Sequence, residues 1–105
     1  MATIVITGAS MGIGRAMALA WAARKDTVVL SARGRETLEA VALEVETAGG
    51  RAIVVPGDVT DEAHRVELVA RARETGALDV LVNNAGRGFA ANVLAIELEK
   101  MRELF

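Results

Sequence analysis

The sequence has no cysteine and one proline, and only 3% of its residues are aromatic. Without cysteine there is no disulfide framework and no thiolate chemistry, which suits the cytosol. With so few aromatics, any core must be built from Val, Ile, Leu, Ala and Met, and the 52% hydrophobic content supplies them. Acidic and basic residues are mixed, the net charge is only −2, and no basic stripe suggests nucleic acid. The longest apolar run, Ala16–Ala23 between Arg15 and Arg24, is far too short to span a bilayer. The opening residues Met1-Ala2-Thr3 run into a strand with no basic leader. A soluble, cytoplasmic protein is expected, with no membrane partner. At 105 residues the chain holds one small domain at most.

What is present in quantity is glycine, and its placement is informative. Thr7–Gly14 reads TGASMGIG and follows the apolar run Ile4-Val5-Ile6. A side chain at Gly8, Gly12 or Gly14 would block a tight turn, a ligand's approach or close helix–strand packing. The first-turn N–H groups of the helix that follows, together with its dipole, favour a bound anion. A glycine-rich turn with no ligand is the plainer alternative.

Periodicity organises the rest. Thr3–Thr7, Thr27–Ser31, Ala52–Val55 and Leu78–Val82 read as short strands buried on both faces. Between them, Ile13, Ala16, Met17, Ala20 and Trp21 predict one buried helix face, Leu38, Val41, Ala42 and Val45 a second, and Val66, Val69 and Ala70 a third. Gly49-Gly50 closes the second helix, Pro56-Gly57 stops the third strand, and Asp61-Glu62 suit a helix N-terminus. The order βαβαβαβ with short connections means a parallel sheet with helices on its faces. The segment from about Ile96 places Leu98, Met101 and Phe105 on one face of a further helix that stops without a cap. The fourth strand, if it lies at an edge, carries no lysine or proline to protect it. Both features lead to the expectation of a larger domain cut short, or of self-association through an exposed fourth strand.

TGASMGIG after the first strand, Asp58-Val59 after the third and Asn83-Asn84-Ala85-Gly86 after the fourth together resemble the short-chain dehydrogenase/reductase family. The match runs the length of the chain, and its three motifs stand at the carboxyl ends of three strands, where open α/β sheets bind ligands. The resemblance implies a Rossmann-type, doubly wound sheet with strand order 3-2-1-4. Residues 1–105 would form part of an NAD(P)-binding domain in an oxidoreductase that moves hydride between cofactor and a carbonyl or alcohol. It implies that Gly8, Ser10, Gly12, Ile13 and Gly14 seat the pyrophosphate. Ser10 would add a hydroxyl there or make only a local turn bond. Asp58 and Val59 would meet the adenine, with the start of the next helix as Asp58's alternative. Asn84, Ala85 and Gly86 would lie beside the ribose and nicotinamide, and Asn83 would brace the sheet.

Cofactor choice is expected at Ser31-Ala32-Arg33. Ala32 stands where the family's NAD-specific members carry an aspartate, and Arg33 offers a planar charged fork to a 2′-phosphate. NADP is therefore expected over NAD, with Arg35 and Arg15 as possible helpers or solvated surface residues. His64, the sole histidine, is expected on the surface, and no metal-ligand spacing occurs. The family's acid/base is a tyrosine in a Tyr-x-x-x-Lys pair, and these residues include no tyrosine. Catalytic residues are therefore expected to be absent from this stretch. The alternatives are a stand-alone nucleotide-binding module or a partner-docking module without activity.

Overall fold

The computed structural model describes residues 2–75, 78–83 and 92–94. The elements are β1 (Thr3–Thr7), α1 (Gly12–Ala23), β2 (Thr27–Ala32), α2 (Arg35–Thr47), β3 (Arg51–Pro56), α3 (Glu62–Arg73), β4 (Val80–Asn83) and β5 (Asn92–Leu94). They form one sheet in the order β3-β2-β1-β4-β5. The β1–β2, β2–β3 and β1–β4 pairs are parallel, with Thr3 opposite Thr27, Thr27 opposite Arg51 and Ile4 opposite Val80. The order 3-2-1-4 is the expected one.

β5 was not expected. It pairs antiparallel with β4, Val82 opposite Val93. β4 therefore has a neighbour on each side, which corrects the expectation of an exposed fourth strand available for self-association. The predicted helix from Ile96 lies outside the described residues.

Strand alternation divides the core into two layers. Ile4, Ile6, Val28 and Leu30 point to the side of α1 and α2, where they meet Ala18, Ala22, Leu38, Val41 and Val45. Val5, Val29, Ile53 and Val55 point the other way, onto Leu68 and Ala72 of α3. Side chains of alternate residues face opposite sides of a sheet. A strand sandwiched between two helical layers therefore reads as an unbroken apolar run, and β1 is buried at all its positions.

Two helix faces differ from expectation. In α1 the buried residues are Gly14, Ala18 and Ala22, whereas Ile13, Ala16 and Ala20 are exposed and Met17 and Trp21 half-buried. This helix is so rich in alanine that hydropathy does not separate its faces. The smallest side chains take the seam because they let the helix backbone approach the sheet. In α3 the buried residues are His64, Leu68 and Ala72, one turn apart, while Ala70 is exposed and Val66 is 44% exposed. α2 follows expectation, with Leu38, Val41 and Val45 buried.

α1 and α2 end in the same way. Lys25 and Asp26 N–H donate to Ala22 and Trp21 carbonyls after α1, and Gly49 and Gly50 N–H donate to Glu46 and Val45 carbonyls after α2. Both ends place a left-handed residue just past the helix: Gly49 at φ 105° and Lys25 at φ 66°.

At the sheet's amino end, side chains hold the backbone. Thr3 N–H donates to Asp79 Oδ2 (2.8 Å), and the Thr3 and Thr75 hydroxyls pair at 2.7 Å. Ala2 N–H donates to Oδ1 of buried Asp26 (2.9 Å), whose other oxygen has Arg24 at 3.5 Å.

Candidate functional site

At the opposite, carboxyl end the strands open onto a cleft of roughly 890 Å³ between the β1–α1, β2–α2 and β3–α3 connections. Its β1–α1 wall carries Gly8, Ser10, Gly12 and Ile13; its β2–α2 wall carries Ala32, Arg33 and Thr37; its third wall carries Gly57, Asp58 and Val59. The chain thus brings together all but four of the residues that the sequence singles out for the site. Gly14 lies beneath the cleft in the buried seam of α1. Asn84, Ala85 and Gly86 lie outside the described residues.

The turn into α1 requires glycine. Gly8 and Gly12 adopt φ of 63° and 61°, a left-handed conformation costly for any residue with a Cβ. A Cβ built at Gly12 meets nothing within 4 Å, so the space beside it belongs to the cleft. α1 has no side-chain cap at Met11 and no acidic residue in its first turn. α3, by contrast, is capped by Asp61, whose carboxylate accepts from Ala63 N–H at 3.0 Å, and carries Glu62 beside it. The first-turn donors of α1 thus face the cleft with no negative group of this helix beside them. That is the environment an anionic ligand requires.

Arg33 and Asp58 face each other across the far part of the cleft, Nη2 to Oδ2 3.1 Å. The other Asp58 oxygen accepts from both the N–H and the hydroxyl of Thr60, each at 2.9 Å. These bonds and the Arg33 charge hold the Asp58 carboxyl below its usual range, with the Thr60 bonds the larger cause. Asp58 therefore shapes the loop before α3, and the helix itself starts from Asp61. Arg65 donates to the Val59 carbonyl at 2.8 Å and ties that loop to α3. Arg15 is engaged elsewhere: it forms a two-pronged ion pair with Glu44 of α2. That pair raises the arginine's pKa and lowers the carboxylate's. Arg35 is exposed at the start of α2.

His64 is a correction. Expected on the surface, it is 6% exposed, and its Nε2 lies 2.7 Å from Ser31 Oγ. Two periods read together would have found it. Ser31 shares a strand face with Val29, and His64 stands one helical turn from Leu68, so both lie in the layer beneath α3.

An open sheet whose strands β1 to β4 are parallel, with helices on its faces, glycine at the first strand-to-helix turn and a cleft along its carboxyl edge, is the Rossmann-type doubly wound fold. Within that class, residues 2–105 match the family described as short chain dehydrogenase, and the chain belongs to it. It is 38% identical over 103 residues to the ketoacyl reductase HetN of Nostoc sp., covering 94% of this chain and 36% of that protein. To the L-rhamnose 1-dehydrogenase (NAD(P)(+)) of Sphingomonas sp. it is 43% identical over 86 residues, covering 80% and 34%. The L-sorbose reductase of Gluconobacter frateurii, solved with NADPH and L-sorbose, superposes with a TM-score of 0.76. Its identity is 38%, with 83% of this chain and 34% of that one covered. The chain spans about a third of the length of these relatives.

Proposed function

We propose that these residues form the dinucleotide seat of an NADP(H)-dependent oxidoreductase acting on a carbonyl or alcohol. The observation that carries the reading is the Arg33 guanidinium at the cleft wall, where it pairs with Asp58, and the uncharged Ala32 at the end of β2. A carboxylate there would accept from a ribose 2′-hydroxyl and repel a 2′-phosphate, whereas a guanidinium fork favours the phosphate.

The residues present fit such a ligand. The uncapped first turn of α1 and the open space at Gly12 suit a pyrophosphate. Ser10 adds a hydroxyl at the same wall. Asp58 and Val59 suit an adenine edge, and Arg33 a 2′-phosphate. Asn84, Ala85 and Gly86 belong to the ribose–nicotinamide half on this reading. When bound, the cofactor supplies or accepts hydride at a substrate carbon. The accompanying proton needs a tuned acid, which the family resemblance assigns to a tyrosine, and no tyrosine is present among the 105 residues. This chain's own residues therefore bind and orient, and residues 1–105 alone are expected to show no turnover with NADPH and a panel of ketones.

Paired titrations of the intact protein with NADPH and NADH test the cofactor choice. Tighter NADPH binding is expected, with Arg33→Ala removing about tenfold or more of that preference, the size of one charge-assisted hydrogen bond. Equal or tighter NADH binding that Arg33→Ala leaves unchanged would overturn it.

A further inference from the structure

The buried His64 lies outside the lining of the cleft, yet it contacts two of the cleft's three walls. Its Nε2 meets Ser31 Oγ at 2.7 Å, two residues before Arg33 on the β2 wall. On the β3 side its ring lies directly on Gly57, one residue before Asp58. A Cβ built at Gly57 would stand 2.2 Å from His64 Nδ1. The same two strand ends are joined by the Gly57 N–H, which donates to the Ala32 carbonyl at 2.9 Å. Arg33 and Asp58 then meet above this layer.

We propose that His64 is a positioning residue for the adenosine half of the cofactor, fixing the strand end that carries Arg33 against the loop that carries Asp58. The proposal rests on the dinucleotide reading above. A ring that touches both walls adds to the Gly57–Ala32 bond in holding the gap into which an adenine and a 2′-phosphate must fit. A smaller side chain there leaves the Ser31 hydroxyl unpaired and the space beside Gly57 empty.

The arrangement works with a neutral imidazole. Burial pushes the His64 pKa below its ordinary value, against the opposing pull of Glu67, Asp61 and Asp58. Those carboxylates lie on α3, at its cap and in the loop before it. β1 presents no ionisable side chain. β2 presents Ser31, with Arg33 following the strand, and the only ionisable residue of β3, Arg51, stands at its other end. A proton added to the ring therefore has no buried carboxylate to meet among the described residues and favours a conformation that brings the ring to water, away from Ser31 and Gly57.

The test uses the intact protein, with 2′,5′-ADP as a probe of the adenosine half and nicotinamide mononucleotide as a probe of the other half. His64→Asn is expected to weaken 2′,5′-ADP by about tenfold, the size of one buried hydrogen bond lost together with its packing, and to leave the mononucleotide unchanged. As the pH falls below about 6.5, the wild-type affinity for 2′,5′-ADP should fall more steeply than that of the variant, which follows the ligand's own phosphate ionisation. Ser31→Ala, which removes a single oxygen, should give a smaller loss for the same probe alone. It decides the matter if His64→Asn does not fold. Equal losses for both probes, or affinities and pH profiles unchanged by the substitutions, overturn the proposal. A wild-type protein that binds no 2′,5′-ADP overturns the NADP reading on which the proposal rests.

Discussion

The two ends of the sheet use the same backbone chemistry to opposite effect. At the amino end, N–H groups at the strand starts find carboxylates of the chain: Ala2 reaches Asp26 and Thr3 reaches Asp79. At the carboxyl end, the first turn of α1 has neither a side-chain cap nor an acidic neighbour. The protein supplies a negative oxygen at one end and none from this helix at the other. Glycine is divided likewise. Gly50, just before β3, is packed so closely that an added Cβ would stand 2.8 Å from Ala22 Cα, whereas Gly12 looks into open space. On the proposed reading, the closed end sets stability and the open end sets binding.

Substitutions at these positions can break that division. The largest effect is expected from Gly50→Ala, which drives a methyl into backbone and should cost about 2–3 kcal/mol in urea denaturation, with little change in nucleotide affinity per folded molecule. Gly12→Ala should cost only about 1–2 kcal/mol, from its left-handed φ, yet weaken NADPH binding by about tenfold or more in a titration, since its Cβ enters the cleft. If Gly12→Ala leaves binding intact, the open end is not the seat. Asp79→Ala removes an acceptor from Thr3 and should lower stability by about 1 kcal/mol without altering affinity. Lys25→Gly should raise stability by about 0.5–1 kcal/mol, because its φ of 66° costs a lysine what it does not cost a glycine. The smallest effect near neutral pH comes from His64. Its folded pKa lies below the ordinary 6.5, so the unfolded chain binds the proton first. Stability should therefore be full above about pH 6.5 and decline as pH falls towards the folded value. Chemical denaturation across that range should show the decline, and His64→Asn should flatten it.

Much of the architecture was legible because each strand is apolar at successive positions, which only a doubly covered strand tolerates. The strand order followed from the alternation of elements and from the family resemblance. The helix faces were less legible where composition carries no contrast. In α1, alanine and glycine fill the buried seam while Ile13 faces the cleft at 48% exposure. That inversion comes from backbone proximity, which hydropathy does not encode. The cleft residues were found from motifs, but the layer beneath them was not. Ser31 and His64 are separated by 33 residues, and only the register of β2 against α3 brings them to 2.7 Å. β5 lacked a signal altogether: three residues in antiparallel pairing are too few for a period to register.

The position of β1 in the strand order has a consequence for how the chain acquires its structure in time. β1 is an interior strand of the sheet, and its two partners are unequally distant along the chain. β2 begins 24 residues after β1, with Thr27 opposite Thr3, but Val80 stands opposite Ile4, 76 residues away. Until β4 has been synthesised, one edge of β1 is an unpaired apolar template of five residues. Local βαβ units form early, whereas this long-range pairing carries a larger loop-closure cost and comes late. That edge is where the chain is exposed to wrong pairing before Val80–Asn83 is in place, and β4 covers it in the folded sheet.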